Sequence, residues 1–273
     1  MKIEFAKMSG AGNDFVVIDN RSGKIRNVKS LARRLCDRRW GVGADGLLLL
    51  EKSNKGDYRM MYYNADGSYG GMCGNGGRCI AYFAFRNEIA GTVQRFEALN
   101  HIYIARIKRN DVVLEMKNPR NLRTAFMLPI GKKRLKANYV DTGSPHVVIL
   151  VSDVARNVSI EELDVVQFGR QVRHHDMFAP KGTNVNFVEL GENNLLKIRT
   201  YERGVENETL ACGTGSVASA IVASELLKLN PPIRIEPRSK SLLSVDFARS
   251  DRGICDVTLT GGAEVVFTGS IVL

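Results

Sequence analysis

Gly71-Met72-Cys73-Gly74-Asn75-Gly76-Gly77 is the stretch on which the reading of this chain turns. A cysteine enters a glycine-rich turn, and Ile80-Ala81-Tyr82-Phe83-Ala84 just beyond it reads as a helix. The arrangement returns once, as Ala211-Cys212-Gly213-Thr214-Gly215-Ser216, followed by an apolar, alanine-bearing helix from Val217 to Leu227. A thiol just ahead of a helix lies near the positive end of its dipole and near N–H groups that have no partner inside the helix. Both features favour the thiolate over a free thiol whose ordinary pKa is about 8.5. The same N–H groups form a site for a carboxylate. Two such turns would offer two sulfur acid–bases and two anion-binding helix ends to one small molecule.

Outward from these turns, the chain repeats. Gly43 precedes Cys73 by 30 residues, and Gly182 precedes Cys212 by the same 30. Gly12-Asn13-Asp14-Phe15-Val16-Val17-Ile18 matches Gly143-Ser144-Pro145-His146-Val147-Val148-Ile149. Tyr63-Asn64 stands upstream of the first cysteine, and Tyr201-Glu202-Arg203 upstream of the second. An internal repeat of this size predicts two halves of one fold, related by a pseudo-twofold axis, with equivalent turns face to face across a cleft.

The periodicity predicts strands at Lys2–Lys7 and Phe15–Ile18 around the turn Ser9–Asp14, and a helix at Val28–Arg38 with Leu31/Leu35 and Ala32/Cys36 on one face. Strands follow at Leu47–Leu50 and Tyr58–Tyr63, and after the first cysteine helix at Val93–Phe96, Ile102–Ile107 and Val112–Met116. Asn118-Pro119-Arg120-Asn121 interrupts the pattern and reads as a boundary. In the second half, Ser159-Ile160-Glu161-Glu162 reads as a capping box opening a helix that runs to about Arg173. Strands are expected at Thr183–Leu190 and Leu196–Tyr201, and the last near Val265–Phe267 and Ile271–Leu273.

Composition narrows the function classes. With 273 residues, 44% hydrophobic and 25% charged, the chain reads as an ordinary soluble protein of two domains. Its apolar runs, such as Leu47-Leu48-Leu49-Leu50, are too short to cross a bilayer, and Met1–Ala6 lacks the apolar core of a signal peptide. No membrane partner is therefore expected, and the cytoplasm is the default location. The five cysteines (Cys36, Cys73, Cys79, Cys212, Cys255) are odd in number and show no CxxC spacing. With only four histidines (His101, His146, His174, His175), no metal site is expected. Core packing is the expectation for Cys36 and Cys79, and a structural place in a strand for Cys255. The net charge of +10 includes the run Lys132-Lys133-Arg134-Leu135-Lys136, but there is no basic tail and no nucleic-acid motif, so it reads as solvated surface.

A symmetric pair of acid–bases on opposite sides of a substrate suits inversion of a stereocentre. One group removes a proton from carbon and the other returns a proton to the opposite face, each transfer contributing about a hundred- to ten-thousand-fold. Helix N-termini on the α-carboxylate would stabilise the enolate-like charge. A thiol-redox protein using Cys73 and Cys212, and a basic nucleic-acid-binding module, are the readings from other classes.

The strings MCGNGGRC and ETLACGTGS, with SGAGNDF, YYNADGS, TGSPH and YERGVENET, closely resemble the diaminopimelate epimerase family, in the family's order and over essentially the whole chain. The asparagine after Cys73-Gly74 separates this family from the proline racemases, which usually carry histidine there. The resemblance implies a mixed α/β fold of two pseudo-symmetric domains, each a curved, mostly antiparallel sheet around a central helix. It places the domains at residues 1–118 and 119–262, with 263–273 returning as a last strand to the first. It implies interconversion of LL- and meso-diaminopimelate without any cofactor, with Cys73 and Cys212 as the two bases. Gly74, Asn75, Gly213 and Thr214 then hold the α-carboxylate, and Asn13, Asn64, Asn184, Glu202 and Arg203 the distal end of the substrate. Ser144 and His146 stand as accessory candidates, and a homodimer is the assembly the resemblance implies. Many relatives have asparagine where Ser144 stands, and some have glutamine at the position of Gly46. The nearest rival is a racemase of the same mechanism acting on another amino acid, such as histidine.

Overall fold

The structure, a computed structural model, describes residues 2–131 and 133–272; Met1, Lys132 of the basic run and Leu273 of the last expected strand lie outside the described residues. The chain divides into two compact units, Met1–Glu115 with Thr260–Leu273, and Met116–Leu259.

The first unit opens with a hairpin, β1 (Lys2–Gly10) and β2 (Asn13–Asp19). The turn is tighter than the sequence implies: two residues, Ala11 and Gly12, both at positive φ (56° and 87°), as right-twisted hairpins favour. Helix α1 (Val28–Cys36) then crosses over to β3 (Gly46–Glu51), which lies parallel to β2 and antiparallel to β4 (Tyr58–Asn64). Helix α2 (Gly74–Arg86) crosses over to β5 (Val93–Ala98), parallel to β4. β6 (His101–Lys108) and β7 (Asp111–Glu115) complete an antiparallel meander.

Burial explains why β2 and β3 read as nearly unbroken apolar runs: a strand covered on both faces has no solvent side to alternate with. Val16, Ile18, Leu47 and Leu49 pack with Leu31, Ala32, Leu35 and Cys36 of α1. The opposite face meets α2, where a Cβ on Gly76 would touch Leu48 and Met60. Helix α2 is thus central to its unit, packed against β1–β4, β6 and β7.

The second unit repeats the order. β8 (Arg120–Ile130) and β9 (Lys133–Asp141) form a hairpin, and β9 pairs antiparallel with β10 (Pro145–Leu150). The short α3 (Val151–Val154) and α4 (Val165–Arg173) precede β11 (Asn184–Leu190), parallel to β10. β12 (Leu196–Glu202) runs antiparallel to β11 and carries β13 (Asn207–Thr209) on its edge. Helix α5 (Gly213–Leu227) leads to β14 (Ile233–Glu236), parallel to β12, then to β15 (Leu243–Ser250). The unit boundary falls within β16 (Gly253–Gly262). α5 is apolar all round, the pattern of a helix with no solvent face, and packs against β9–β12, β14 and β15. Val147, Ile149, Val185 and Phe187 face outward from it, to Val151, Val154, Val165 and Val172 of α3 and α4. In both units, then, a parallel pair joined by an outer helix is followed by an antiparallel strand and a buried central helix.

Two expectations need correcting. The last two expected strands are one, β17 (Glu264–Val272), antiparallel to β1 from Lys2↔Val272 to Ser9↔Glu264. Ser159 closes only half of a box: its N–H and hydroxyl both donate to Glu162 Oε2 (3.0 and 2.7 Å), while Glu162 N–H goes to the Ser159 carbonyl, and the helix begins only at Val165, capped by Asp164, which accepts from Gln167 N–H at 2.9 Å. Arg199 is the cause: its Nη1 donates to the carbonyls of Ile160, Glu161 and Leu163 (2.7, 3.1 and 2.9 Å), the acceptors that a first helical turn would need for itself.

Candidate active site

Each cysteine turn is already the first turn of a helix. Cys73 and Cys212 are the N-cap residues of α2 and α5, both extended (φ −120°, ψ 126° and φ −119°, ψ 114°), and neither side chain caps its helix. The glycines permit this because other groups crowd them. A Cβ on Gly77 would lie 2.9 Å from Met72 Cε, and one on Gly215 would lie 2.4 Å from Asn186 Oδ1.

In the first unit Cys73 is half-buried, its Sγ 3.7 Å from Asn13 Oδ1. Asn13 starts β2, and its amide donates to Asp45 Oδ2 at 2.6 Å, which leaves Oδ1 toward the sulfur. Asp45 accepts from Arg38 (2.8 Å), and Arg38 and Lys7 both reach Asp14 (2.9 and 2.7 Å). Burial alone would raise the Asp14 carboxyl, but the hydrogen bonds and charges of Arg38 and Lys7 outweigh it and hold it at about 2. Asn64, at the end of β4, sits opposite Gly46 and hydrogen-bonds Ser68 Oγ at 2.9 Å. Glutamine could not replace Gly46 here, since its Cβ would fall 2.5 Å from the Tyr62 ring and 2.7 Å from the Tyr63 carbonyl. Asn75 is buried, and its Oδ1 accepts from Arg78 at 2.9 Å.

In the second unit the candidates form one network. Cys212, 7% exposed, lies 3.6 Å from Thr214 Oγ1. Thr214 Oγ1 is 2.9 Å from His146 Nε2, which is also 2.9 Å from Ser144 Oγ. Behind the imidazole, Asn186 Nδ2 lies 3.1 Å from Nδ1, and Thr200 donates to Asn186 Oδ1 at 3.0 Å. Asn186 Nδ2 also donates to the Val147 carbonyl (3.0 Å), an acceptor only, which fixes the amide, so Nδ1 accepts and the neutral ring carries its proton on Nε2. Burial, then the charge of Arg203, push His146 down to about 3. A neutral His146 therefore donates to Thr214 or Ser144, which leaves the Thr214 hydroxyl proton for Cys212 Sγ or Ser144 Oγ. Asn184 Nδ2 donates to Pro145 O (3.0 Å) and Ser144 Oγ (3.3 Å), while its Oδ1 accepts Arg203 N–H at 2.9 Å. Ser144 thus bonds directly within the network despite being shorter than asparagine. Glu202 and Arg203 are half-buried at the end of β12.

Sequence reading missed Asp45, Arg78, Asn186, Thr200 and Thr142, whose hydroxyl donates to Thr214 O at 3.0 Å. Asn186 was within reach: it stands two residues after Asn184 in a strand and so shares its face. Burial pushes the thiols of Cys36 and Cys79 up to about 12, which suits packing and not chemistry. Cys255 lies half-buried in β16. Among the described residues no group of three or more His, Cys, Asp and Glu could hold a metal ion, and no helix is long and apolar enough to cross a membrane.

The sequence profile of diaminopimelate epimerase matches residues 5–120 and 138–253, one stretch for each cysteine turn. The chain belongs to the diaminopimelate epimerase family. A member from Chlorobaculum tepidum is 43% identical over 270 residues, covering 97% of this chain and 100% of that protein. One from Aquifex aeolicus is 38% identical over 282 residues, covering 98% of each. The fold is shared more widely than the family. A phenazine biosynthesis protein of the PhzF family from Bacillus anthracis superposes with a TM-score of 0.76 at 14% identity over the full length of both chains. A hydroxyproline epimerase from Agrobacterium vitis gives 0.74 at 14% identity, over 100% of this chain and 93% of that one. Family members carry the name of an isomerase, and this chain is an isomerase with a mixed α/β fold.

Proposed function

We propose that this chain interconverts LL- and meso-2,6-diaminopimelate by a cofactor-independent two-base reaction in which Cys73 and Cys212 are the acid–base pair. The observation that carries this reading is the repetition. At the same topological place in each unit, a cysteine is the N-cap of a central helix and leaves that helix uncapped by its side chain. One sulfur, as thiolate, takes the α-proton and becomes a thiol. The other, as thiol, delivers its proton to the opposite face and becomes the thiolate, so charge and protons balance, and proton exchange with water resets the pair for another turnover in the same direction. The N–H groups of Gly74 and Asn75, and of Gly213 and Thr214, are the carboxylate donors in this scheme, supported by the helix dipoles behind them. Asn13, Asn64, Asn184, Glu202 and Arg203 take the distal carboxylate and ammonium, a division that suits an arginine fork and neutral amides. Ser144 and His146 act through Thr214. A mechanism that needs reduced thiols belongs in a reducing compartment, so the cytoplasm is the proposed location. A homodimer is the proposed assembly, supported by the family resemblance. The reaction consumes and yields small amino acids of lysine and peptidoglycan-precursor synthesis.

The test is turnover of a panel by the reduced protein. LL-diaminopimelate should yield the meso isomer, while histidine and proline remain unchanged. Racemisation of histidine without action on diaminopimelate would move the chain to another substrate class.

A further inference from the structure

Arg78 heads the fully buried side chains by size, at 0% exposure, and it sits on α2 five residues after Cys73. Its Nη2 donates to Asn75 Oδ1 at 2.9 Å and its Nη1 to Gly74 O at 3.4 Å, both neutral acceptors in the first turn of its own helix. Its Nε has no hydrogen-bond partner among the described residues. A guanidinium stays charged, and burying a charge without a contact anion is among the costlier things a fold can do. The charge stands at the positive end of the helix dipole, where it adds to the dipole and does not offset it.

We propose that Arg78 is the counter-cation and positioning residue of the first cysteine turn: it locks the Asn75 amide, and its charge, unmatched by contact among the described residues, favours an anion at the turn, the Cys73 thiolate. This rests on the reading of Cys73 as a proton-transferring thiol. The lock follows from donor chemistry. Arginine only donates, so Asn75 must turn its oxygen to Arg78 and direct its NH2 group elsewhere. The charge has no equivalent in the second unit, where the residue five positions after Cys212 is the buried Val217. Burial opposes the Arg78 charge, while ionised Cys79, Cys73 and Asp111 support it. The other charges near Cys73 lie behind Asn13: Asp14 and Asp45 are matched by Lys7 and Arg38, two anions against two cations. Among the described residues Arg78 has no contact anion, and Asp111 acts on it without an ion pair.

The experiment labels the reduced, full-length protein with iodoacetamide across pH, reading Cys73 and Cys212 separately by peptide mass spectrometry. Arg78→Met, Arg78→Gln and Arg78→Lys are compared with the parent after thermal unfolding has confirmed that each folds. With Arg78→Met or Arg78→Gln, the Cys73 curve should move up by about one pH unit, about a tenfold loss of labelling at neutral pH, while Cys212 moves less. Arg78→Lys should return the Cys73 curve toward the parent's. Arg78→Gln guards against failure of the Met variant to fold, since it keeps a donor for Asn75. A folded neutral variant with an unmoved Cys73 curve, or equal shifts at both cysteines, overturns the proposal. Labelling needs no substrate, so its outcome is separate from the function: an active Cys73→Ala variant would sink the base assignment, whatever Arg78 does to labelling.

Discussion

A single methyl group shows how tightly the second cysteine turn is built. Alanine at position 215 would favour the helix over glycine by about 1 kcal/mol. Its Cβ would also lie 2.4 Å from Asn186 Oδ1 and 3.3 Å from Cys212 Sγ. Overpacking costs about 1–3 kcal/mol, and here the displaced group orients His146. Gly215→Ala should therefore lower the melting temperature and lower kcat more than it raises KM, as calorimetry and steady-state kinetics will show. His146 makes a second prediction. Folded, it is held neutral down to about 3; unfolded, it titrates at about 6.5. The unfolded chain thus binds the extra proton between those values, so stability is fully present above about pH 6.5 and falls as pH drops toward 3. In His146→Gln that share of the decline disappears, and urea midpoints at neutral and mildly acidic pH should lie closer together than in the parent. At this scale the place of the two cysteines, each just ahead of a central helix, was legible in the sequence because the motif repeats, while Asn184 came only from the family resemblance. Asp45 and Thr200 were not, because their roles come from hydrogen bonds across strands that only the fold brings together.

Elements were legible where one period dominated. Helices α1, α2 and α5 and strands β2, β3, β11 and β12 follow from spacing and apolar runs. The start of α4 did not, because a local signal lost to a distant one. Only the glutamate half of the Ser159–Glu162 box forms, and Arg199 takes the carbonyls needed to continue it. Asp164 is then the working cap, through its bond to Gln167 N–H. Asp164→Ala should cost about 1 kcal/mol, within the usual range for a lost cap. Ser159→Ala, at the exposed box outside the helix, should cost only a few tenths. Chemical denaturation of both variants checks this, and equal losses would place the helix start back at Ser159.

At the scale of the whole molecule, the chain's last strand lies beside its first. β17 pairs with β1 along nearly its full length, and β1 has β2 on its other side. Deleting residues 264–272 would leave β1 an open edge and expose Ile3 and Phe5 of the α1 core. The shortened chain should melt at a markedly lower temperature and lose protection of the β1 amides in hydrogen exchange. The repeat itself was legible from glycine and cysteine spacing. Its physical content is the matched order of parallel pair, outer helix, antiparallel strand and central helix in each unit. What the repeat is for is tested most directly in deuterated water. The parent protein, given LL-diaminopimelate under reducing conditions, should form the meso isomer with solvent deuterium at the inverted α-carbon. Cys73→Ala and Cys212→Ala should each lose that interconversion by a hundredfold or more, roughly the share of one positioned acid–base. Interconversion at the parent's rate in either single variant would contradict the two-base account.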